Sequence, residues 1–229
     1  MQDKAVYEQQ REESDKTFPQ GIEIILYGMG LDRKDGWWID ESTFEEDVKQ
    51  ATDLKLMNTL TGEPPIMVAY RMRTEKYIAL YPSQITIRDG NIHNGKVEYQ
   101  KLMSGEADVG LYGFQVNGVI VRWILINFHA YRLIHEFDEK TKTWRPKKHI
   151  NFQRKNNTAP GDTSFTAYDM LSIKAHDDSL TNPARRIIIA HSEGYFEDII
   201  VGPEKYNGMV PGLMPDVCMK DMNERIDRY

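Results

Sequence analysis

Along most of this chain, apolar and polar residues alternate in short blocks separated by turn-forming residues. Alternation with period two predicts strands, and apolar spacing of three to four predicts helices. Gly21–Tyr27 (Gly-Ile-Glu-Ile-Ile-Leu-Tyr) predicts a first strand closed by Gly28-Met-Gly30. Ser42-Thr-Phe-Glu45 carries the capping-box signature, which predicts a helix running to about Gln50. Leu54–Leu60 and Ile66–Arg73 predict two strands joined by the turn-rich Thr61–Pro65, with Lys76–Tyr81 and Gln84–Arg88 as further strands. After a loop at Asp89–Gly95, Lys96–Ser104 predicts a short helix stopped by Gly105. Ala107–Phe114 and Val119–Ile126 predict a hairpin turning at Asn117-Gly118.

Phe128–Phe137 suits a short helix, and the polar, basic stretch Phe137–Lys148 leads to a strand at Ile150–Arg154. Thr158–Thr163 predicts a loop, Ser164–Ile173 a strand or strand–helix edge, and Arg186–His191 a last strand. Beyond Glu193 the breakers Gly194, Gly202, Pro203, Gly208, Pro211, Gly212 and Pro215 predict an irregular tail, with a short charged helix at Pro215–Arg228. The expected fold class is α+β, with α/β as the alternative: a mixed central β-sheet flanked by a few short helices. The expected division is a flexible arm over 1–20, one core domain over 21–192, and a tail over 193–229 that packs on the core or on a partner.

Composition narrows the classes. With 40% apolar and 28% charged residues the chain is globular in character. A formal net charge of −6 argues against a broad non-specific DNA surface but leaves room for a local basic groove. The single cysteine, Cys218, excludes an intramolecular disulfide and a cysteine-based zinc site. No apolar run reaches the roughly 20 residues that span a bilayer, and the N-terminal residues lack the basic start and apolar core of a signal peptide. The expectation is a cytoplasmic protein with no membrane partner.

Two constellations carry candidate chemistry. Asp53 precedes a strand whose Arg71 and Arg73 share one face, and Glu98 and Lys101 share a helical face just downstream. Carboxylates with a nearby cation suit hydrolysis assisted by Mg²⁺, and Glu45 and Glu46 are candidate outer helpers. The plainer alternative makes Arg71 and Arg73 the solvated face of an edge strand and Asp53 a turn cap. The second constellation sets Asp138 beside Gln153-Arg154-Lys155, within the most basic stretch of the chain, which also holds Arg145, Lys147, Lys148 and His149. Such a cluster can follow a phosphate backbone, and its plainer alternative is a charged hairpin tip. The histidines form no metal-ligand spacing: His129 and His135 lie six apart, and His149, His176 and His191 stand alone in the sequence. Trp37-Trp38 reads as a staple or core plug, with base stacking as the alternative.

The runs Ala51-Thr-Asp53, Met67–Arg73, Gln84–Arg88, Val97-Glu98-x-x-Lys101, Ala107-Asp108-x-x-x-Tyr112-Gly113 and Trp123–Asn127 resemble a group of phage and prophage proteins similar to degenerate PD-(D/E)xK nucleases. That resemblance covers about Phe44 to Arg132. It implies Asp53 and Glu98 as ligands of Mg²⁺, Lys101 and Arg73 as catalytic cations, and an Arg71-x-Arg73 strand where an active enzyme shows Glu-x-Lys. Separately, Phe152-Gln-Arg-Lys155 with Gly161-Asp162 resembles a segment of some small restriction endonucleases. The expected function is binding or hydrolysis of DNA or RNA, with Arg71, Arg88, Lys147, Lys148, Arg154 and Lys155 on the phosphates. The alternative is a non-enzymatic factor, such as a phage inhibitor of a host protein or a minor assembly component. The acidic net charge, the missing Glu-x-Lys and the breaker-rich tail from Glu193 favour that alternative, and a homo-oligomer is a further expected partner state.

Overall fold

The computed structural model describes residues 16–41, 53–75, 77–78, 81, 83–90, 98–141, 143–156 and 164–196. The expected helix at Ser42–Gln50 with Glu45 and Glu46, the loop at Thr158–Thr163, the arm before residue 16 and the tail after residue 196 lie outside them.

The first element corrects the sequence reading. Gly21–Tyr27 belongs not to a strand but to helix α1, Phe18–Met29. Its β-branched residues favour a strand, yet tertiary packing overrides that weak preference. Gly21, Ile24 and Ile25 fall on one helical face and are buried. A proline in the first turn supplies a helical φ, and Gly30, at φ 68°, closes the helix by donating to the carbonyls of Leu26 and Tyr27. Gly21 is where the helix touches the sheet: a β-carbon there would come within 2.2 Å of the Tyr70 ring.

Six strands form the main sheet in the order β1 (Trp37–Glu41), β2 (Leu54–Asn58), β3 (Ile66–Thr74), β5 (Val109–Val116), β6 (Val119–Asn127), β11 (Ile188–His191). All neighbours are antiparallel except β3 and β5. The parallel pair exists because the chain leaves the sheet after β3, forms β4 (Gln84–Arg88) and helix α2 (Glu98–Ser104), and re-enters as β5. The β5–β6 hairpin turns on Asn117 and Gly118, both with positive φ, as their Asn-Gly sequence predicts. A second sheet runs β4–β10–β9, with β9 at Phe152–Asn156 and β10 at Ser164–Asp169, and a separate hairpin pairs β7 (His135–Asp138) with β8 (Thr143–Pro146). The α+β class with a mixed sheet and short helices is the observed one.

Three further boundaries move. The expected helix at Phe128–Phe137 stops at Leu133 as α3, because Glu136 and Phe137 pair with Arg145 and Trp144 in the hairpin instead. Within Lys76–Tyr81, expected as a strand, Tyr77 and Ile78 are helical. Ser164–Ile173 divides at Asp169, whose carboxylate accepts from Leu171 N–H and opens helix α4, Met170–Asp178. Among the described residues, no helix is long and apolar enough to cross a membrane.

The main sheet is buried on both faces. One face, with Leu54, Leu56, Val68, Leu111 and Leu125, packs against α1. The other, with Tyr112, Phe114, Ile124 and Ile126, packs against α2, α3, α4 and the second sheet. The polar residues singled out in the sequence fall in and around this second layer.

Candidate functional site

Period two along β3 sends Val68 and Tyr70 toward α1, and Ala69, Arg71 and Arg73 toward the opposite layer. The shared face expected for the two arginines is therefore present. It is not the solvated face of an edge strand, because β3 lies inside the sheet between β2 and β5. Arg71 Nη1 donates to Glu98 Oε2 at 2.7 Å, and the same oxygen accepts the Arg88 backbone N–H at 3.0 Å. Glu98 thus ties the start of α2 to β3 and β4 together. Burial opposes the charge on Arg71, but the fields of Glu98, Tyr112 and Asp53 outweigh it and hold its pKa above the ordinary value. Arg73 donates to the Thr86 hydroxyl and lies 4.9 Å from the Tyr77 ring centre and 5.6 Å from that of Tyr112. Burial, helped by the like charge of Arg71, lowers its pKa against the fields of Tyr112, Tyr77 and Glu98.

Asp53 stands just before β2. Its Oδ2 accepts the Tyr70 N–H at 2.6 Å, and its own N–H donates to the Val68 carbonyl at 3.0 Å. Both expected metal-binding carboxylates therefore act on Arg71 while holding protein donors. A shared Mg²⁺ would compete with Arg71 for Glu98 and with the Tyr70 amide for Asp53. Lys101 is buried on α2. Among the described residues, no three His, Cys, Asp or Glu side chains form a group that could hold a metal ion.

The second expected constellation is separated. Asp138 forms an ion pair with Arg145 across the β7–β8 hairpin, whereas Gln153, Arg154 and Lys155 sit on β9 of the other sheet. Arg154 pairs with Asp89 at 3.2 Å, and Asp89 also accepts the hydroxyls of Ser164 at 2.6 Å and Thr166 at 2.5 Å. The Lys155 ammonium lies 4.7 Å from the centre of the Tyr81 ring. Arg88 and Lys155 both stand opposite Phe165, from its two sides, so they share a face of the second sheet. Lys147 and Lys148 are exposed in the turn after β8, and no ion pair among the described residues takes either.

Tautomers settle what two histidines do. Arg132 only donates, so His129 Nδ1 accepts its hydrogen bond at 2.7 Å, and the Nε2 proton points at Asp108 Oδ1, 3.0 Å away. Both ring nitrogens of His129 are engaged: Nδ1 within α3, and Nε2 in tying α3 to Asp108 just before β5. His135 Nδ1 donates to the Tyr131 carbonyl at 2.8 Å, which leaves Nε2 to accept from the Tyr168 hydroxyl at 3.0 Å. Burial holds the His135 pKa down at about 4, against a model-peptide value of 6.5. His149 and His176, isolated in sequence, are neighbours in space, with ring centres 4.9 Å apart. No local periodicity joins them, since one lies in a loop and the other on α4.

Sequence reasoning also passed over the hairpin's aromatic pair. Phe137 and Trp144 are directly opposite in register, their ring centres 5.2 Å apart and edge to face, and each is 41% exposed. They share the strand faces of His135 and Pro146, which run inward to the core. Phe152 on β9, at 43% exposure, lies with its ring centre 6.5 Å from that of buried Tyr168, the hydrogen-bond partner of His135. The alternation Phe137-Asp138 against Trp144-Arg145 was the available signal, and a helical reading of Phe128–Phe137 hid it. No family model, curated protein or solved structure matches the chain.

Proposed function

We propose that this protein binds single-stranded nucleic acid through the β7–β8 hairpin and the adjoining turn and β9 edge, without metal-assisted cleavage at Asp53 and Glu98. The observation that carries this reading is the exposed Phe137–Trp144 pair, with Trp144 three and four residues before Lys147 and Lys148. Exposed rings offer stacking platforms to unpaired bases, and cations beside them hold the phosphates. Among the expected phosphate contacts, Lys147 and Lys148 are exposed and in no ion pair among the described residues, Arg88, Arg154 and Lys155 border the second sheet, and Arg71 is engaged by Glu98. A local cationic strip of this kind is compatible with a net charge of −6 because salt-dependent contact depends on nearby phosphates, not on the total.

The hydrolytic half of the nuclease resemblance draws no support from the placement of its carboxylates, each of which already accepts a protein N–H. The test is fluorescence anisotropy with labelled oligo-dT and oligo-U against a duplex of equal length. Trp144→Ala is expected to weaken single-strand binding about ten-fold, since stacking contributes about 1–3 kcal/mol per base. Affinity should fall steeply with salt. Equal affinity for duplex and single strand in both proteins, or binding indifferent to salt, would instead support the protein-binding reading.

A further inference from the structure

The imidazoles of the described residues differ in how much of their bonding capacity is used. His129 and His135 engage both nitrogens, and His191 Nδ1 donates to the Ser192 carbonyl. No described residue hydrogen-bonds a ring nitrogen of His149 or His176. These two rings border one open cleft of about 620 Å³, whose other walls are Asn151, Ser172, Ala175 and Ser179. Ser172, Ala175, His176 and Ser179 make one face of α4 and its end, at spacings of three and four, so the cleft is built on a helix.

We infer that His149 and His176 form a two-histidine site for a late first-row divalent transition-metal ion such as Zn²⁺ or Ni²⁺. The first support is distance. A metal at about 2.0–2.1 Å from an imidazole nitrogen lies about 3.2 Å from the ring centre, so two rings on one ion are about 4.5 Å apart at a right angle and about 5.2 Å at the tetrahedral angle. The observed 4.9 Å falls between those limits. The second is room: the cleft leaves further coordination positions to water, and imidazole is a ligand that Zn²⁺, Cu²⁺ and Ni²⁺ share.

The charges around the pair act in both directions. Lys147 opposes a cation from the preceding turn, and Asp177 favours one from the helix, although its carboxylate is also held by the Ile187 and Ile188 amides at 2.9 and 2.7 Å. Two ligands with one nearby cation make an open, exchangeable site, distinct in kind from a closed structural one.

This inference stands apart from the nucleic-acid reading, and its readout contains no oligonucleotide. The full chain is titrated with NiCl₂ and with ZnCl₂ by calorimetry, alongside His149→Ala, His176→Ala and the double variant, each checked for folding by circular dichroism. One ion per chain is expected, weakened about ten-fold or more by either single change. Substoichiometric Ni²⁺ should broaden the ring-proton signals of His149 and His176 before those of any other histidine. Folded single variants that bind as the wild type does, broadening confined to other histidines, or no uptake at millimolar ion would overturn the site.

Discussion

Two regions of this molecule carry cations and aromatic rings, and they dispose of them in opposite ways. In the layer between the main sheet and the second sheet, Arg71 is taken by Glu98, Arg73 by Thr86 and two tyrosine rings, and His135 by Tyr131 and Tyr168. On the hairpin and the turn behind it, Lys147, Lys148, Phe137 and Trp144 reach solvent. Both places combine cations with aromatic rings, so that combination cannot by itself say which region recognises a ligand. Burial decides: a charge or donor inside the protein must find a protein partner to offset its lost hydration, which leaves little of it for a ligand. An exposed cation keeps its capacity until a ligand arrives.

The largest expected effect tests the interior layer through pH. In the unfolded chain His135 takes up a proton near pH 6.5, while in the folded protein it resists to about 4. Between those values the unfolded state binds more protons, so the stability His135 permits is complete above pH 6.5 and is lost as pH falls toward 4. The loss amounts to about 3 kcal/mol at most. Urea unfolding of wild type and His135→Gln from pH 7 to 4.5 reads it directly. Glutamine can donate to Tyr131 and accept from Tyr168 without titrating, so the stability advantage of wild type should shrink as pH falls. Parallel curves would mean that His135 is not held neutral by its surroundings.

Next in size is the Arg71–Glu98 pair. Glu98→Ala removes the acceptor for Arg71 and for the Arg88 amide, at a cost of about 2 kcal/mol, moderated because both side chains keep some access to water. Replacing both partners, Arg71→Met with Glu98→Met, should cost less than the sum of the single changes, because neither charge is left alone. If Glu98→Ala leaves the urea midpoint unmoved, the carboxylate is not structural, and its availability to a metal reopens.

How much of this was legible beforehand follows from the range of the interactions involved. Strand β3 with its same-face arginines, the Asn117-Gly118 turn, and the helix ending at Gly105 are local patterns, and the chain shows them in the expected places. Helix α1 was misread because its identity depends on a contact 49 positions away, where Gly21 meets the Tyr70 ring and rewards a helical face. Asp53 and Glu98 do lie near Arg71, since the fields of both carboxylates act on it. Their state as satisfied ion-pair and backbone acceptors depends on amides from Tyr70 and Arg88, which side-chain spacing does not encode. His149 and His176 meet only because a loop after β8 folds against α4, and no periodicity in either segment carries that information.

The smallest expected effect on stability belongs to the open surface, and there it is paired with a change in binding. Lys147→Ala and Lys148→Ala remove exposed charges that no described residue pairs with, so each should leave the urea midpoint within about 0.5 kcal/mol of wild type. If these lysines neutralise phosphates of a single strand, each substitution also lowers the slope of log affinity against log salt by about 0.7. The two readouts together separate the regions. An interior cation would move stability and leave the salt slope unchanged, while a ligand-facing cation does the reverse. Lysine variants that lose stability but retain the wild-type slope would place the hairpin turn with the satisfied interior and remove the physical basis for recognition at that surface.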